Sequence, residues 1–494
     1  MSRAGLSKSR LTAFRQCPKR LWLEVNKPQE RVYGPDSQHF FDVGHQVGEI
    51  ARREYLEGIL IQSDDNLDQA IVDTQNALPL ARPIFEATFR FEDVLVRADL
   101  LLPVANGWHM AEVKSTTGVK DYHLDDVAAQ VWVIRGCGLS VVRASVRHID
   151  NRFVLTAPND YKGLLADADV LPEAETIAVR MPDTIAEAKA VLVSTEPAIT
   201  TGDHCETPFS CPFRDYCTRS EPDGPTYPVT LMPGSSGKKL ALKLMSDGYN
   251  DLALVPADRI DNVNQKLIHA ATVSGIPYWD SAGAQQVLAG WGWPRHYLDF
   301  ETISTAVPMW IGSRPYVQAP FQFSCHSVDA EGSVTHRTFL DLTGDDPSRA
   351  CAAALIEYLG TEGAIVSYSA FERTTIRALA LRFPDMEPQL SGLAARVVDL
   401  LPVVKSHFYH RDMKGSYSIK AVLPTIAPQL DYSQLGSVKD GLAAQMAYLE
   451  AISPTCTDER RRELGTDLER YCTLDSLAMI ELAKSLISRV GSCA

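Results

Sequence analysis

Apolar and polar positions in the first half of the chain follow strand-like and then helix-like patterns. The runs VLVRADLLLP (94–103) and WHMAEVKS (108–115) are apolar stretches interrupted by charged residues, and each predicts a strand. Asn106-Gly107 lies between them and favours a tight hairpin. The following run, DDVAAQVWVI (125–134), predicts a helix. These patterns predict a sheet with helices packed on it.

A second group of patterned runs begins after GWGWPR. HYLDFETI (296–303) predicts a strand, AIVSYSAFERTTIRAL (364–379) predicts a strand followed by a helix, and YCTLDSLAMIEL (471–482) predicts an apolar helix. Between the two groups lies EPDGPTYPVTLMPGSSGKK (221–239), whose proline, glycine and serine content is typical of a domain boundary.

A chain of 494 residues is too long for one hydrophobic core, so several domains are expected. We predict three parts: residues 1–221 with N-terminal helices and a mixed sheet, a small helical connector over 222–294, and a further domain over 295–494. The connector is either a helix-hairpin-helix-like unit around GYNDL that grips phosphates, or a spacer. The expected fold class is α/β throughout.

Composition and charge narrow the class of protein. Apolar residues make up 45% and charged residues 22%, as in ordinary globular proteins. The net charge of −14 argues against a general nucleic-acid coat protein but not against a nuclease. No run approaches the roughly 20 apolar residues of a membrane helix, and no secretory signal is evident, so we expect a cytoplasmic protein with no membrane partner. The ten cysteines are then metal ligands or buried thiols rather than disulfides.

The first chemical constellation lies on the predicted hairpin. Glu112 and Lys114 are two residues apart and so share one face of a strand, and the hairpin places Asp99 on the neighbouring strand. Two carboxylates with a lysine can bind a hard cation such as Mg²⁺ and stabilise the charge on a phosphate. The alternative is the solvent face of an amphipathic strand, because Glu and Lys are common there.

The order of these residues resembles the PD-(D/E)XK nuclease superfamily, in its RecB-like branch, over residues 1–221. The resemblance implies a restriction-endonuclease-like core in which Asp99 and Glu112 bind the metal, with His45 as a further ligand on an opening helix. Lys114 would be the catalytic lysine. Gln130 would belong to the helix motif Q-x-x-x-Y, which reads QVWVI in this chain.

Four cysteines frame this region. Cys17 lies in LTAFRQCPKRLWLE near the start, and Cys205, Cys211 and Cys217 lie in GDHCETPFSCPFRDYC after the predicted core. Three closely spaced cysteines need a fourth soft ligand to complete a cluster or a zinc site. Cys17 is the natural fourth ligand, with His204 as a competitor. The alternative is a set of incidental thiols.

The cysteine arrangement resembles the RecB-like iron–sulfur nucleases, which have one cysteine before the nuclease core and three after it. The resemblance implies a 4Fe-4S cluster. Zn²⁺ is the alternative, because the spacing of the last three cysteines departs from the usual pattern. The site would staple the start of the chain to the end of the core. Basic residues beside Cys17 would then face nucleic acid: Arg15, Lys19 and Arg20.

The last region carries a second constellation, which is acidic. Asp299 and Glu301 share one face of the strand HYLDFETI, and Glu372 lies on a helix that follows a strand. Tyr471 precedes Asp475 by four positions, so both lie on one face of the last helix. Such a set can hold two metal ions about 4 Å apart for in-line phosphodiester hydrolysis.

This constellation resembles the DEDD exonucleases of the RNase H-like fold, in the variant whose last motif is Tyr-x-x-x-Asp, over residues 295–494. Glu372 stands where the family has aspartate, Tyr471 would orient the attacking water, and Asp399 is expected to be peripheral. A degenerate domain that binds without cutting is the alternative. The resemblance implies four metal ligands: Asp299, Glu301, Glu372 and Asp475.

Together the resemblances point to an uncharacterised bacterial family that fuses a RecB-like iron–sulfur nuclease domain to a DEDD-type domain. We expect DNA hydrolysis that depends on Mg²⁺ or Mn²⁺ and acts exonucleolytically on single strands or ends. DNA is the expected partner, with a helicase or another repair or defence protein as a further candidate. The alternative is a nucleic-acid-binding or scaffold protein in which one or both centres are inactive.

Overall fold

The computed structural model describes residues 5–34, 37–62, 66–219, 221–430 and 436–488. Across these residues the chain is a mixed α/β protein with several sheets and 18 helices. Its contacts divide it into two compact units. The first unit comprises residues 1–222 and 305–317, and the second comprises 223–304 and 318–494. Within the described ranges, no helix combines the length and apolar character needed to cross a membrane.

The first unit is built on a sheet of seven strands, counted over its described residues. The strands are β1 (Leu6–Ser7), β2 (Ile59–Leu60), β3 (Ile84–Phe91), β4 (Val94–Val104), β5 (Gly107–Lys114), β6 (Val141–Ile149) and β7 (Leu165–Asp169). The helices are α1 (Lys8–Gln16), α2 (Pro18–Asn26), α3 (Ser37–Arg53), α4 (Leu67–Ala77), α5 (Asp121–Gly136), α6 (Leu171–Ala178), α7 (Met181–Val193) and α8 (Arg214–Arg219). The strand order is β2-β3-β4-β5-β6-β7, with β1 beside β4.

Local sequence explains the centre of this sheet. β4 and β5 form an antiparallel hairpin whose turn holds Asn106 in the left-handed region, at a φ of 66°. β5 and β6 run parallel, so the chain between them needs a crossover, which α5 supplies. Val127 and Val131 of α5 belong to the main hydrophobic cluster of the unit. α3 packs in a second cluster with Leu100 and Leu102 of β4.

The second unit contains a five-stranded sheet and a two-stranded one. The strands are β8 (Tyr278–Trp279), β9 (Arg295–Ile303), β10 (Ala319–Val328), β11 (Val334–Leu340), β12 (Ala364–Ser367), β13 (Val397–Asp399) and β14 (Phe408–Tyr409). The helices are α9 (Gly234–Ser246), α10 (Val263–Ser274), α11 (Ser281–Ala289), α12 (Ser348–Leu359), α13 (Phe371–Arg382), α14 (Glu387–Arg396), α15 (Leu401–His407), α16 (Ile419–Ile426), α17 (Gly441–Ala451) and α18 (Asp458–Ser488). The larger sheet has the order β11-β10-β9-β12-β13, and β14 pairs with β8.

The alternation of side chains along the central strand β9 separates its two faces. Leu298 and Phe300 join a hydrophobic cluster that includes residues of α12, α13 and α14. Tyr297 joins a different cluster, with Met479 and Leu482 of the long helix α18. Because side chains two residues apart share a face, the acidic positions that follow Tyr297 at this spacing lie on the side of the sheet that α18 covers.

The second unit includes most of the region predicted as a separate connector, residues 222–294. Leu252 and Ile268 from this region share a hydrophobic cluster with Met479 of α18. Residues 305–317, which follow β9, belong instead to the first unit. The structure therefore divides into two units where three parts were predicted, because the apolar residues of the connector are buried in the core of the second unit.

Candidate functional site

The first candidate site, which we call the first centre, lies where β4 and β5 separate. Asp99 is on β4, and Glu112 and Lys114 are two residues apart on β5. The two strands pair only as far as Ala111, after which the Val113 N–H donates to Asp99 Oδ2 at 2.7 Å. A carboxylate thus takes the hydrogen bond that a continuing ladder would have used.

The carboxylate of Glu112 accepts hydrogen bonds from three side chains of the first centre. It is only 2% exposed, so its oxygens depend on partners within the protein. Lys8 Nζ and Lys114 Nζ donate to its Oε1 at 2.6 and 2.9 Å, and Gln130 Nε2 donates to its Oε2 at 2.7 Å. Lys114 also donates to Asp126 Oδ2 at 2.8 Å. The structure therefore brings Glu112, Lys114 and Gln130 into direct contact.

The two acids of the first centre differ in how their charge is balanced. Burial would raise the pKa of Glu112, but the ammonium groups of Lys114 and Lys8 outweigh burial and hold this pKa below its ordinary value. Burial and the neighbouring Glu112 carboxylate raise the pKa of Asp99 to about 7. The carboxylate of Glu86 on β3 adds further repulsion. Asp99 is therefore only partly compensated.

Asp99 and Glu112 fit a hard divalent cation, because Mg²⁺ is commonly held by one or two carboxylates together with waters and phosphate oxygens. The raised pKa of Asp99 supports this fit, since a bound cation would favour the ionised carboxylate. His45, the predicted further ligand, lies exposed on α3. Among the described residues, no convergent group of three ligand side chains includes His45. The role of His45 as a further ligand of this centre therefore stays a prediction.

The four predicted cysteine ligands line one cavity in the first unit. Cys17 lies between α1 and α2 with an extended backbone, and Pro18 begins α2, where its missing N–H costs no helical hydrogen bond. The N–H of Cys211 donates to the carbonyl of Cys205 at 2.7 Å. Cys217 reaches the same cavity from α8. Cys17 thus lies in the same cavity as three cysteines that are almost 200 positions away in the sequence.

The chemistry of this cavity fits a metal with a preference for sulfur. Burial raises the pKa of Cys211 and raises that of Cys217 to about 11. Neighbouring cysteines also raise the pKa of both thiols, whereas Arg20 lowers that of Cys211 and Lys19 lowers that of Cys217. A metal bound by these thiolates would supply further positive charge. His204 lines the same cavity and stays an alternative ligand.

The three basic residues predicted to face nucleic acid are engaged within the first unit. Arg15, Lys19 and Arg20 form ion pairs with acidic residues of the same unit: Asp125, Glu196 and Glu24, respectively. Lys19 is buried and also lies 3.4 Å from the carbonyl of Ile199. A nucleic acid would have to compete with these pairs, so the predicted contact with nucleic acid stays a prediction.

The second candidate site, which we call the second centre, lies between β9 and α18 of the second unit. Asp299 and Glu301 project from β9 and Asp475 projects from α18, and an oxygen of each lies within 4.8 Å of the others. Convergent carboxylates are the ligands that hard divalent cations prefer. In the described part of the chain, this is the one group of three such side chains close enough to hold a single ion.

Negative charge crowds the second centre. Burial and the Asp475 carboxylate raise the pKa of both Asp299 and Glu301 well above ordinary values. A divalent cation would balance this charge, so the side chains fit Mg²⁺ or Mn²⁺. Cys472, one turn of α18 from Asp475, donates its thiol to Asp299 Oδ2 at 3.4 Å. This neutral donor does not supply the missing positive charge.

Glu372 lies beside the converging triad rather than within it. It sits in the first turn of α13, and burial, followed by the carboxylates of Asp399 and Asp475, raises its pKa to about 8. Within the described residues, its Oε2 has no hydrogen-bond partner. An unpartnered buried oxygen is costly, which indicates a missing donor or cation. Asp399, predicted to be peripheral, is close enough to Glu372 to raise its pKa.

Tyr471 lies on α18 next to the second centre. Lys420 of α16 donates to the Tyr471 hydroxyl at 3.1 Å, and its ammonium lies 4.9 Å from the centroid of the Tyr471 ring. Lys420 also lowers the pKa of Glu301, against the larger effect of burial. The hydroxyl is therefore held in place by a cation that serves the acidic centre as well.

Three charged residues of these centres were missed by the sequence analysis: Lys8, Asp126 and Lys420. A signal existed for Asp126, because it precedes Gln130 by four positions and so shares its face of α5. Lys8 stands in a basic stretch that suggested nucleic-acid contact instead. Lys420 follows no local pattern that marks it.

Comparisons with known proteins give a family match, a curated relative and a solved structure. Residues 296–418 match the family described as "Domain of unknown function (DUF2779)". Over 206 residues the chain is 27% identical to "Uncharacterized protein UU173" of Ureaplasma parvum serovar 3, covering 37% of this chain and 30% of that protein's length. A crystal structure of SSO0001 aligns with 14% identity and a TM-score of 0.25 over 44% of this chain and 88% of that one. A likeness this weak carries no argument about fold.

The DUF2779 match covers part of the second centre. It includes both acids of β9 and Glu372 but ends before Tyr471 and Asp475 on α18. The matched segment is thus incomplete as a metal site without the last helix.

The crowding of the second centre predicts that Asp475→Asn stabilises the metal-free protein. Removing one of three repelling carboxylates should raise the free energy of unfolding by about 1 kcal/mol or more at about pH 8. The pKa values of Asp299 and Glu301 are raised, so the folded protein takes up protons as the pH falls and the repulsion fades. The gain should therefore shrink towards about pH 5. Urea unfolding of chelator-treated protein at several pH values measures this difference in the free energy of unfolding.

Asp467→Asn is the matched control, on the same helix. Its carboxylate accepts hydrogen bonds from the hydroxyl and N–H of Ser437 at 2.7 and 3.1 Å, and the hydroxyl bond in particular lowers its pKa. Losing this acid should bring no stabilisation. An Asp475→Asn protein that is no more stable than wild type at about pH 8 would contradict the proposed repulsion.

The cysteine cavity predicts that Cys17→Ser loses bound metal. Serine is a poor ligand for soft metals, so metal content should fall and protease sensitivity should rise near residues 205–217. Elemental analysis for iron and zinc, the visible absorption spectrum and limited proteolysis report these changes. Cys137→Ser is the control, because Cys137 is an exposed thiol of the same unit. Full metal content in Cys17→Ser would mean that another residue, such as His204, is the ligand.

Proposed function

We propose that this chain is a nuclease that depends on Mg²⁺ or Mn²⁺ and hydrolyses DNA phosphodiester bonds, exonucleolytically on single strands or ends. The observation that carries the proposal is the acidic triad of Asp299, Glu301 and Asp475, with oxygens within 4.8 Å of one another. Burying like charges together destabilises a fold unless a cation balances them. The triad is therefore better explained by metal binding than by packing.

The second unit, on this proposal, has the RNase H-like fold of the DEDD exonucleases. Support comes from the distribution of the acids over the elements. Two lie on the central strand β9, one lies on the packed helix α18, and Glu372 begins the helix after β12. Tyr471 precedes Asp475 by one turn of α18. This is the distribution that the resemblance implies.

The first unit, on the same proposal, has a PD-(D/E)XK core. Its support is the hairpin of β4 and β5 with Asp99 on one strand and Glu112 and Lys114 on the other. Gln130, on the helix that follows, hydrogen-bonds Glu112. The four cysteines would hold a 4Fe-4S cluster, or Zn²⁺ as the alternative. The role assigned to that metal is structural, as a link between the start and the end of the unit.

At the second centre, Asp299, Glu301 and Asp475 would hold the divalent cations, with Glu372 beside them. When bound, such cations supply Lewis-acid polarisation of the phosphodiester and lower the pKa of a bound water. The Tyr471 hydroxyl, fixed by Lys420, would orient the attacking water.

At the first centre, Asp99 and Glu112 would hold the cation. Lys114 is fixed by its hydrogen bonds to Glu112 and Asp126, so its ammonium would stabilise negative charge on the scissile phosphate without reorganisation. Gln130 holds the Glu112 carboxylate in one orientation.

One observation favours the alternative for the first centre, in which it binds nucleic acid without cutting. Glu112 is already compensated by two lysines. A cation at this centre has to compete with those ammonium groups. In the described surroundings of the second centre, the ammonium group that would compete with a metal for Glu301 is that of Lys420.

Graded loss of activity is expected from substitutions at the second centre. Asp475→Asn removes a ligand and should slow Mn²⁺-dependent trimming of an end-labelled single-stranded DNA by roughly a hundredfold or more. Tyr471→Phe should cost less, because it removes only a water-orienting hydroxyl. Glu372→Asp restores the usual family residue and should preserve or improve trimming. The assay uses the full chain with Lys114→Ala as background, so that only the second centre is read.

Asp467→Asn in the same background is the control, since this acid lies on α18 but outside the triad. Equal trimming by Asp475→Asn and the control would demote the second unit to binding. Another outcome is that the background protein shows no trimming with Mg²⁺ or Mn²⁺, either as it is or with Glu372→Asp added. That result would likewise demote the second unit to binding.

Lys114→Ala tests the first centre separately. It should abolish one cleavage activity and leave the cysteine-bound metal in place, because Lys114 contacts Glu112 and Asp126 and not the cysteines. The double substitution Lys114→Ala with Asp299→Ala should remove all cleavage. Digestion of 5′- and 3′-labelled DNA, with metal content measured in parallel, reports both effects. Undiminished cutting by the double variant would rule out both centres.

A further inference from the structure

Lys8 enters the first centre from outside the β4–β5 hairpin. Its ammonium lies 2.6 Å from Glu112 Oε1, closer than the 2.9 Å of Lys114 to the same oxygen. Lys8 belongs to no part of the motif that identified the centre, and its partner is 104 positions away in sequence. A second ammonium on one buried carboxylate oxygen calls for an explanation.

The start of the chain is built to deliver this side chain. β1 pairs in parallel with the first residues of β4, Val94 and Leu95, beyond the stretch of β4 that β5 occupies. Lys8 follows β1 directly as the first residue of α1, whose start is capped by the Ser7 hydroxyl. The end of β1 therefore places Lys8 beside the end of β5.

α1 is fixed to the first centre at a second point. One turn after Lys8, the Thr12 hydroxyl donates to Asp126 Oδ1 at 3.0 Å. Asp126 Oδ2 in turn accepts from Lys114. α1 thus places the Lys8 ammonium on Glu112 Oε1. The same helix is held in position by the hydrogen bond of Thr12 to Asp126, the residue that also binds Lys114.

The two lysines differ in how firmly they are held. Lys114 bonds two carboxylates, Glu112 and Asp126. Among the described residues, the carboxylate in contact with Lys8 is Glu112 alone. The two side chains are similarly exposed, at 23% for Lys8 and 21% for Lys114. Lys8 is therefore the ammonium that can leave at the lower cost, because one ion pair has to break instead of two.

We propose that Lys8 is a resident counter-ion of the first centre. Its ammonium holds the cation position on Glu112, and a divalent cation that binds Asp99 and Glu112 displaces it. This inference rests on the proposed function of the first centre as a metal site. Lys8 is in this sense a positioning residue that sets how readily the centre loads, because an ammonium beside Glu112 repels an incoming cation.

The test measures Mn²⁺ binding without any nucleic acid. Full-length protein carrying Asp299→Asn and Asp475→Asn, which disable the second centre, is titrated with MnCl₂, and free Mn²⁺ is read by electron paramagnetic resonance. Lys8→Met and Lys8→Gln remove the ammonium, and Lys8→Arg keeps a positive charge. Lys189→Met is the matched control, because Lys189 pairs with Asp93 at 3.1 Å on an exposed surface of the same unit. Cysteine-bound metal and thermal unfolding are recorded for each variant.

Lys8→Met or Lys8→Gln should bind Mn²⁺ roughly tenfold more tightly than the background protein, since the competing charge is gone. Lys8→Arg and Lys189→Met should stay close to the background. If Lys8 had a purely structural role, its removal would weaken Mn²⁺ binding or leave it unchanged. Unchanged or weaker Mn²⁺ binding in a folded Lys8→Met or Lys8→Gln protein therefore overturns the proposal.

The same titration separates this inference from the proposed function. Mn²⁺ binding that tightens without any DNA cleavage would leave the counter-ion role standing and refute nuclease activity at the first centre. An absence of Mn²⁺ binding in the background protein and in every Lys8 variant would overturn the counter-ion role together with the proposed metal site.

Discussion

Buried carboxylate charge has to be balanced, and this requirement shapes both units. Burying an unpaired carboxylate costs more free energy than one hydrogen bond contributes to stability. Neighbouring elements therefore supply ion pairs and hydrogen bonds to a buried acid. In the first unit, Glu112 draws Lys8 from α1, Lys114 from β5 and Gln130 from α5 onto one side chain. In the second unit, burial and the Asp475 carboxylate of α18 instead raise the pKa of both Asp299 and Glu301 on β9. The first centre has two lysines on its buried Glu112. At the second centre, among the described residues, Lys420 lowers the pKa of Glu301 but does not outweigh its burial.

One helix on each sheet carries side chains to an acidic centre. α1 is tied to the first centre through Lys8 and Thr12, and at its other end Gln16 donates to the carbonyl of His204 at 2.8 Å in the cysteine loop. One short helix therefore spans the distance from the acidic centre to the cysteine cavity. In the second unit, α18 carries Asp475 to the triad while its apolar residues fill the core beside β9.

The parts of both centres that follow from local periodicity could be predicted from the sequence. Acids two residues apart on a strand, and a tyrosine four residues before an acid on a helix, share a face whatever the tertiary structure is. Lys8 and Lys420 could not be found this way, because their positions depend on where β1 pairs and where α16 packs. For His45 the sequence predicts the helix but not the direction of the side chain, which is exposed on α3, so its place at the first centre stays a prediction. The apolar residues of the predicted connector follow no long repeat, so their burial with α18 could not be read from the sequence.

The unequal balance of charge has a consequence for how the two centres would load with metal. A cation that reaches the second centre relieves repulsion among three carboxylates, so the protein gains stability together with the binding energy. A cation that reaches the first centre has to take the place of Lys8 on Glu112, so part of the binding energy is spent on breaking an existing ion pair. With the same kind of ligand atoms, we therefore expect the second centre to bind a cation more strongly than the first. The first centre would need help from a phosphate group that brings further oxygen ligands and gives the displaced ammonium a new partner.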